Sequence, residues 1–216
     1  MNNGEFIAIE KSFFENHLSI QDPALLENVL KVAEVHAVPK GVFLVRQGQT
    51  PSRLAFLIAG IFRGFYVDEN GREITDCFAY RCGDALLPSA ELLGLAPISI
   101  QALSDATVIT VPLKDVKRWS EQYKEVADLY IHYLEQASSV HWEHKNAIVQ
   151  YSAMQRYLWF LRRYSALATV VTNKHIASFL NVTPVTISRL RRKMKETLSN
   201  SELNSEAFFK PEKKKR

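Results

Sequence analysis

Apolar positions change period along the chain, and the changes mark out its elements. From Pro23 to Val35 they recur at helical spacing (Leu25, Leu26, Val29, Leu30, Val32), with Asp22 placed to cap the start. After Pro39 the pattern becomes short apolar or alternating runs: Val42 to Val45, Leu54 to Ala59, Ile61 to Val67, Glu73 to Tyr80, Ile98 to Leu103 and Ala106 to Val111. Turn residues separate them, at Gly41, Gly48, Gly60, Asn70-Gly71, Gly83-Asp84 and Pro97. Asn70-Gly71 between two strand-like runs is a hairpin signal, because both residues tolerate positive φ. Closely spaced short strands predict one β unit over Pro39 to Val111, a sandwich or roll.

Helical spacing returns at Leu113 to Tyr123 and persists without Pro or Gly from Lys124 to about Gln150. Such a helix is ~40 Å long at 1.5 Å per residue. Its apolar stripe includes Val126, Leu129, Tyr130, Tyr133, Leu134, Ala137 and Val140, followed by His141. The helix either packs on its own sheet or meets a second copy of itself. A stripe ending in Tyr and His residues favours the second copy, so these eight positions are the expected dimer helix. Ser152 to Tyr164 is again helical.

Charge is distributed unevenly. The chain of 216 residues has a net charge of +4, yet Arg156 to Arg216 holds 14 Lys and Arg against 4 Asp and Glu. Without the tail from Lys210, nine basic residues still face three acidic ones. A terminal third this basic predicts a polyanionic partner, nucleic acid being the commonest. No apolar run approaches the ~18 residues of a membrane helix. Met1 to Glu10 has no leader pattern, so the cytoplasm and no membrane partner are expected. Two cysteines, Cys77 and Cys82, fit a reducing compartment.

Within the basic third, Thr172 to Met194 reads TNKHIASFLNVTPVTISRLRRKM. A short helix from Asn173 to Leu180, a turn at Asn181 to Thr183 and a second helix from Pro184 to about Leu198 are expected. Thr183 is a good N-cap and Pro184 suits the first helical position. Asn181 tolerates positive φ, and Ala177 is small where the helices cross. Ile176, Leu180, Val182, Ile187 and Leu190 are spaced to share a core. This is the helix-turn-helix pattern. Val185, Ser188, Arg189 and Arg192 follow i, i+3, i+4, i+7 and share a free face. Arg189 suits guanine, Val185 a thymine methyl, and Thr186 and Ser188 a base or phosphate. Arg191, Arg192, Lys193 and Lys195, with Asn173 and Lys174 at the first helix, suit phosphates, and the capping Thr183 is counted with the DNA-facing residues. No catalytic residues, Gly-rich phosphate loop, metal-ligand spacing or nucleophile elbow is recognisable, so the chain is not expected to be an enzyme.

The arrangement resembles the CRP/FNR family of bacterial transcription regulators. The resemblance rests on the β run with Asn70-Gly71 and Gly83-Asp84, the long helix, and Ile176-Ala177 followed by Val182-Thr183-Pro184-Val185-Thr186-Ile187-Ser188-Arg189-Leu190. It implies an α+β chain. Residues 1–123 would form a cyclic-nucleotide-binding-like β-roll (double-stranded β-helix or jelly-roll) sensor domain, 124–150 a dimerisation helix, 151–200 a winged-like helix-turn-helix domain and 201–216 a polar, basic tail. It implies a homodimer on double-stranded DNA, with RNA polymerase as a further partner the resemblance leaves open. Where family members commonly carry Glu in the recognition helix, this chain has Val185.

The resemblance also implies an effector pocket, but an altered one. Counting from Gly83-Asp84, the family's ribose-binding Glu falls at Pro88 and its Arg-Ser-Ala at Ile98-Ser99-Ile100. The purine-reading positions of the long helix fall at His141 and Trp142. A buried cyclic phosphate without its Arg is costly, so cyclic AMP is not expected. Leu86, Leu87, Pro88, Ser99, His141 and Trp142 would line the remaining cavity for an unidentified small-molecule effector, with no resident cofactor. Two cysteines are too few for an iron–sulfur cluster, and His141 with His144 lacks the further ligands a metal needs. The competing reading is a ligand-binding signalling module that does not act on DNA.

Overall fold

In the computed structural model, which describes residues 10–200, helix α1 (Pro23–Leu30) begins where the sequence supplies its cap. Asp22 Oδ1 accepts from the amides of Ala24 and Leu25, both at 2.9 Å. The helix stops earlier than its apolar spacing suggests. Glu34–Val38 is instead strand β1, paired antiparallel with a later strand from Glu34↔Thr110 to Val38↔Ala106. The expected start of the β unit at Pro39 is therefore too late. A sheet edge that would otherwise stay unpaired outweighs the weak helical preference of Val32 and Val35.

Strands β2 (Phe43–Val45), β3 (Arg53–Ala59), β4 (Phe62–Val67), β5 (Glu73–Ala79), β6 (Ala85–Leu86), β7 (Ser99–Ala102) and β8 (Ala106–Pro112) follow. They form two four-stranded antiparallel sheets, ordered β1-β8-β3-β6 and β2-β7-β4-β5. The β4–β5 hairpin forms, but only Gly71 has positive φ, at 76°. Asp68 N–H donates to Arg72 O, and Asp68 Oδ1 accepts from the amides of Asn70 and Arg72. The turn is a three-residue loop with glycine in the left-handed position, so of the two residues only Gly71 uses the positive φ that both tolerate.

Both faces of the first sheet are buried, which explains the unbroken apolar run of β3. Ala55, Leu57 and Val108 face Phe62, Ile100 and Ala102 of the other sheet. Leu54, Phe56, Ile109 and Val111 lie in a second cluster with Leu25 and Val29 of α1, with Val116 and Trp119 of α2 (Leu113–Gln122), and with Phe13 and Phe14 of a π-helical turn, Phe13–His17. Gly60, at φ 110°, joins β3 to β4, and a Cβ there would lie 2.4 Å from Ala106 Cβ. Gly60→Ala is expected to destabilise the β unit by about 1–3 kcal/mol through backbone strain and overpacking. Urea unfolding of the two proteins measures it, and an unchanged midpoint would show that the β3–β4 corner relaxes freely.

Helix α3 (Lys124–Gln150) follows α2 after the extended Tyr123. The chain divides into two compact units between Ala137 and Ser138, inside this helix. No described helix is long and apolar enough to cross a membrane.

Candidate nucleic-acid interface and effector region

The second unit is built around two capped turns. α4 (Ala153–Arg163) starts with a capping box, in which Ser152 Oγ accepts from Gln155 N and Gln155 Oε1 accepts from Ser152 N. After a 3-10 turn (Ser165–Leu167), Thr172 caps α5 (Asn173–Phe179) by accepting from His175 N–H. The chain then turns through Asn181, at φ 50°, and Thr183 Oγ1 accepts from Thr186 N–H at 3.1 Å to start α6 (Pro184–Asn200). Cap, left-handed Asn and first-position Pro all fall where the sequence places them.

The core that joins α5 to α6 differs in part. Ile176, Ala177, Leu180 and Ile187 have no exposed surface, but Val182 and Leu190 are only half-buried. Phe179 takes their place. Its ring lies face to face with His144 at 4.1 Å and edge-on to Phe160 and Tyr164. His144 Nε2 pairs at 2.7 Å with Phe179 O, donating to it. From the sequence, His144 with His141 is expected at a dimer seam or on the surface rather than on a metal; here its ring packs on Phe179. Among the described residues, no group of three or more ligating side chains is placed to hold a metal. Arg156, also missed, donates to Tyr151 O and to Leu180 O and Asn181 O, so it ties α4 to the turn. The only sequence hint was its place beside the capping box.

Most of the expected contact residues of α6 reach solvent. Val185 is 58% exposed, and Ser188, Arg189, Arg192 and Lys193 are exposed with it. Arg189 makes no hydrogen bond or ion pair among the described residues. Arg192 has only a loose, exposed pair with Glu196 at 3.6 Å. Lys174 and Thr183 are exposed as well, whereas Thr186 is half-buried, 2.9 Å from Thr183 Oγ1.

Two residues depart from the expectation. Arg191 is half-buried, donating to Tyr157 OH and to Ala168 O, both at 2.9 Å, so its guanidinium braces α6 against α4 and the turn after it. Its helical phase turns it inward while Arg192 turns out. Asn173 is also half-buried, with Nδ2 3.3 Å from Ser188 Oγ and with Oδ1 buried and unpartnered among the described residues. It links the two helices instead of standing clear for phosphate. Residues 201–216, with the basic tail, lie outside the described residues.

The expected effector residues do not share one cavity. Leu86 is buried in the core between the sheets, and Pro88 is buried beside it in sequence. Ser99 Oγ accepts from Gln47 N–H at 3.0 Å. Leu87 faces the other cluster, between sheet and helices. His141 and Trp142 lie on the exposed surface of α3, Trp142 58% exposed. The thiols are not activated: burial, then Asp76, pushes Cys77 up to about 12, and burial, then Asp84, raises Cys82.

The dimer stripe also divides. Val126, Leu129, Tyr130 and Tyr133 pack on the β unit's own core, so for them packing on the same chain is what the structure presents. Leu134 and Val140 are half-buried, Ala137 and His141 exposed.

The profile of the Cyclic nucleotide-binding domain family matches residues 35–123. No curated protein matches the chain in sequence. Among solved structures, FixK2 from Bradyrhizobium japonicum is similar with a TM-score of 0.67 and 18% identity, covering 76% of this chain and 85% of that one. A transcriptional regulator of the CRP/FNR family from Eubacterium rectale gives 0.69 and 19%, covering 82% and 84%. The c-di-GMP-responsive global regulator CLP of Xanthomonas campestris gives 0.64 and 10%, covering 81% and 92%. The chain therefore has the fold of the CRP/FNR transcription regulators, and its residues 35–123 match the cyclic nucleotide-binding domain family.

Proposed function

We propose that this chain is a sequence-specific DNA-binding transcription regulator acting as a homodimer. The observation that carries the reading is the exposed face of α6, where Val185, Arg189 and Arg192 stand clear beside the exposed Ser188 on a helix fixed at its start by Thr183 and Pro184. Such a face fits the major groove, and a guanidinium with no other partner among the described residues suits the O6 and N7 of guanine. Arg192, Lys193 and Lys174 supply phosphate affinity. Leu134, Ala137, Val140 and His141 meet a second copy, the upstream part of the stripe being packed on its own core. Two recognition helices then address half-sites ~34 Å apart.

The signal domain does not use cyclic AMP, because Pro88 and Ile98 stand where its ribose and phosphate partners would be and Ser99 Oγ is engaged. RNA polymerase is the onward partner of a regulator of this kind. Selection of sites from a random duplex pool at fixed salt is expected to enrich an inverted repeat, bound by a species of twice the chain mass in sedimentation. A pool that stays unenriched, with retention independent of sequence, would overturn the reading in favour of a ligand-binding module that does not act on DNA.

A further inference from the structure

The β unit contains a cavity that none of the expected effector residues except Leu87 marks. It lies on the outer face of sheet β1-β8-β3-β6, between Leu54 and Phe56 of β3, Ala85 of β6, Trp119 of α2 and the first turns of α3. Its interior volume is about 70 Å³, it opens to solvent on one side, and its lining is apolar. An apolar void of this kind holds water poorly and gains by taking an apolar guest.

The nearby polar groups are turned away. Tyr133 OH donates to Gly83 O at 2.8 Å, and Tyr130 OH donates to Ala90 O. Burial, followed by Asp84, pushes the Tyr133 phenol up to about 12, so it stays neutral. Each ring thus presents its apolar flank to the cavity while its hydroxyl holds the segment between β5 and β7. A charged ligand would lose its hydration there with no partner in return.

We propose that this cavity is a binding site for a neutral, predominantly hydrocarbon small molecule. As an effector site it rests on the regulator reading above, since the guest would touch Val126, Leu129, Tyr130 and Tyr133. These are the residues that seat α3 on the β unit, so occupancy acts on the helix assigned to dimerisation. The site is separate from the space between the two sheets, where Leu57, Phe62 and Val108 are at most 1% exposed.

The test is a fluorescence titration of the full chain with N-phenyl-1-naphthylamine, a neutral apolar probe. Saturable binding of one probe per chain is expected. Ala85→Phe fills the cavity and should weaken binding at least tenfold, and Ala85→Leu, a milder filling, should weaken it less. Leu95→Ser, which alters an exposed apolar residue outside the lining, should leave it unchanged. Binding that does not saturate, or that persists in filled variants with wild-type far-UV circular dichroism, would overturn the proposal. So would binding that falls as chain concentration rises, because a second copy would then cover the opening. No DNA enters the measurement, so its failure leaves the regulator reading standing, and an unenriched DNA pool leaves this site standing.

Discussion

Arg189→Ala is expected to lower affinity for the selected operator about 5- to 150-fold, the equivalent of roughly 1–3 kcal/mol for one bidentate arginine–guanine contact. Nonspecific DNA should be bound almost as before. The argument rests on what Arg189 does in the protein alone: it is exposed and makes no hydrogen bond or ion pair among the described residues. Removing it therefore costs little in folding, and the loss falls on the complex. Two neighbours give contrasting controls. Arg192→Ala removes an exposed charge with only a loose partner. It should weaken all sequences alike and reduce the salt slope by about 1. Arg191→Ala breaks hydrogen bonds to Tyr157 OH and Ala168 O and should act through unit stability, not base preference. Gel-shift titrations with the operator and a scrambled duplex at two salt concentrations separate the three. Equal losses on both duplexes for Arg189→Ala would sink its assignment as the base-reading residue.

The helix-turn-helix was legible because its signals are local. A Thr cap, a Pro at the first helical position and an Asn able to take positive φ lie within four residues, and each acts through its own backbone. What sequence missed depends on partners far along the chain. Strand β1 exists because β8 offers it an edge some 70 residues later, and nothing in Glu34–Val38 announces that. Arg191 and Arg192 are indistinguishable in sequence, and only the positions of Tyr157 and Ala168 turn one of them into a brace. The effector residues followed from family spacing, but whether they enclose a space depends on packing. Leu86 went to one side of the sheet and Leu87 to the other, as the two-residue period of a strand dictates.

Phe179→Ala should cost the second unit about 3–5 kcal/mol, the usual range for removing a buried aromatic ring. The ring is 2% exposed and in contact on several sides: His144 stacks on it at 4.1 Å, Trp159 lies parallel at 6.0 Å, and Phe160 and Tyr164 meet it edge-on. Little can collapse into the space left, because the rings around it are held by two other helices, His144 on α3 and Trp159, Phe160 and Tyr164 on α4 and at its end. The backbone bond from His144 to Phe179 O survives the change in principle, so the loss reports packing. Urea unfolding followed by tryptophan fluorescence, with the Trp159 signal taken as the difference from a Trp159→Phe chain, reads the cluster, and its midpoint should fall strongly. Binding of the naphthylamine probe by the β unit should persist at urea concentrations where operator binding is already lost. Phe179→Leu keeps much of the volume and should recover most of the stability. A loss below about 1 kcal/mol for the alanine variant would mean that α5 is seated by Ile176, Ala177 and Leu180 alone, and that the aromatic cluster joining α3, α4 and α5 is incidental to the orientation of the DNA-binding helices.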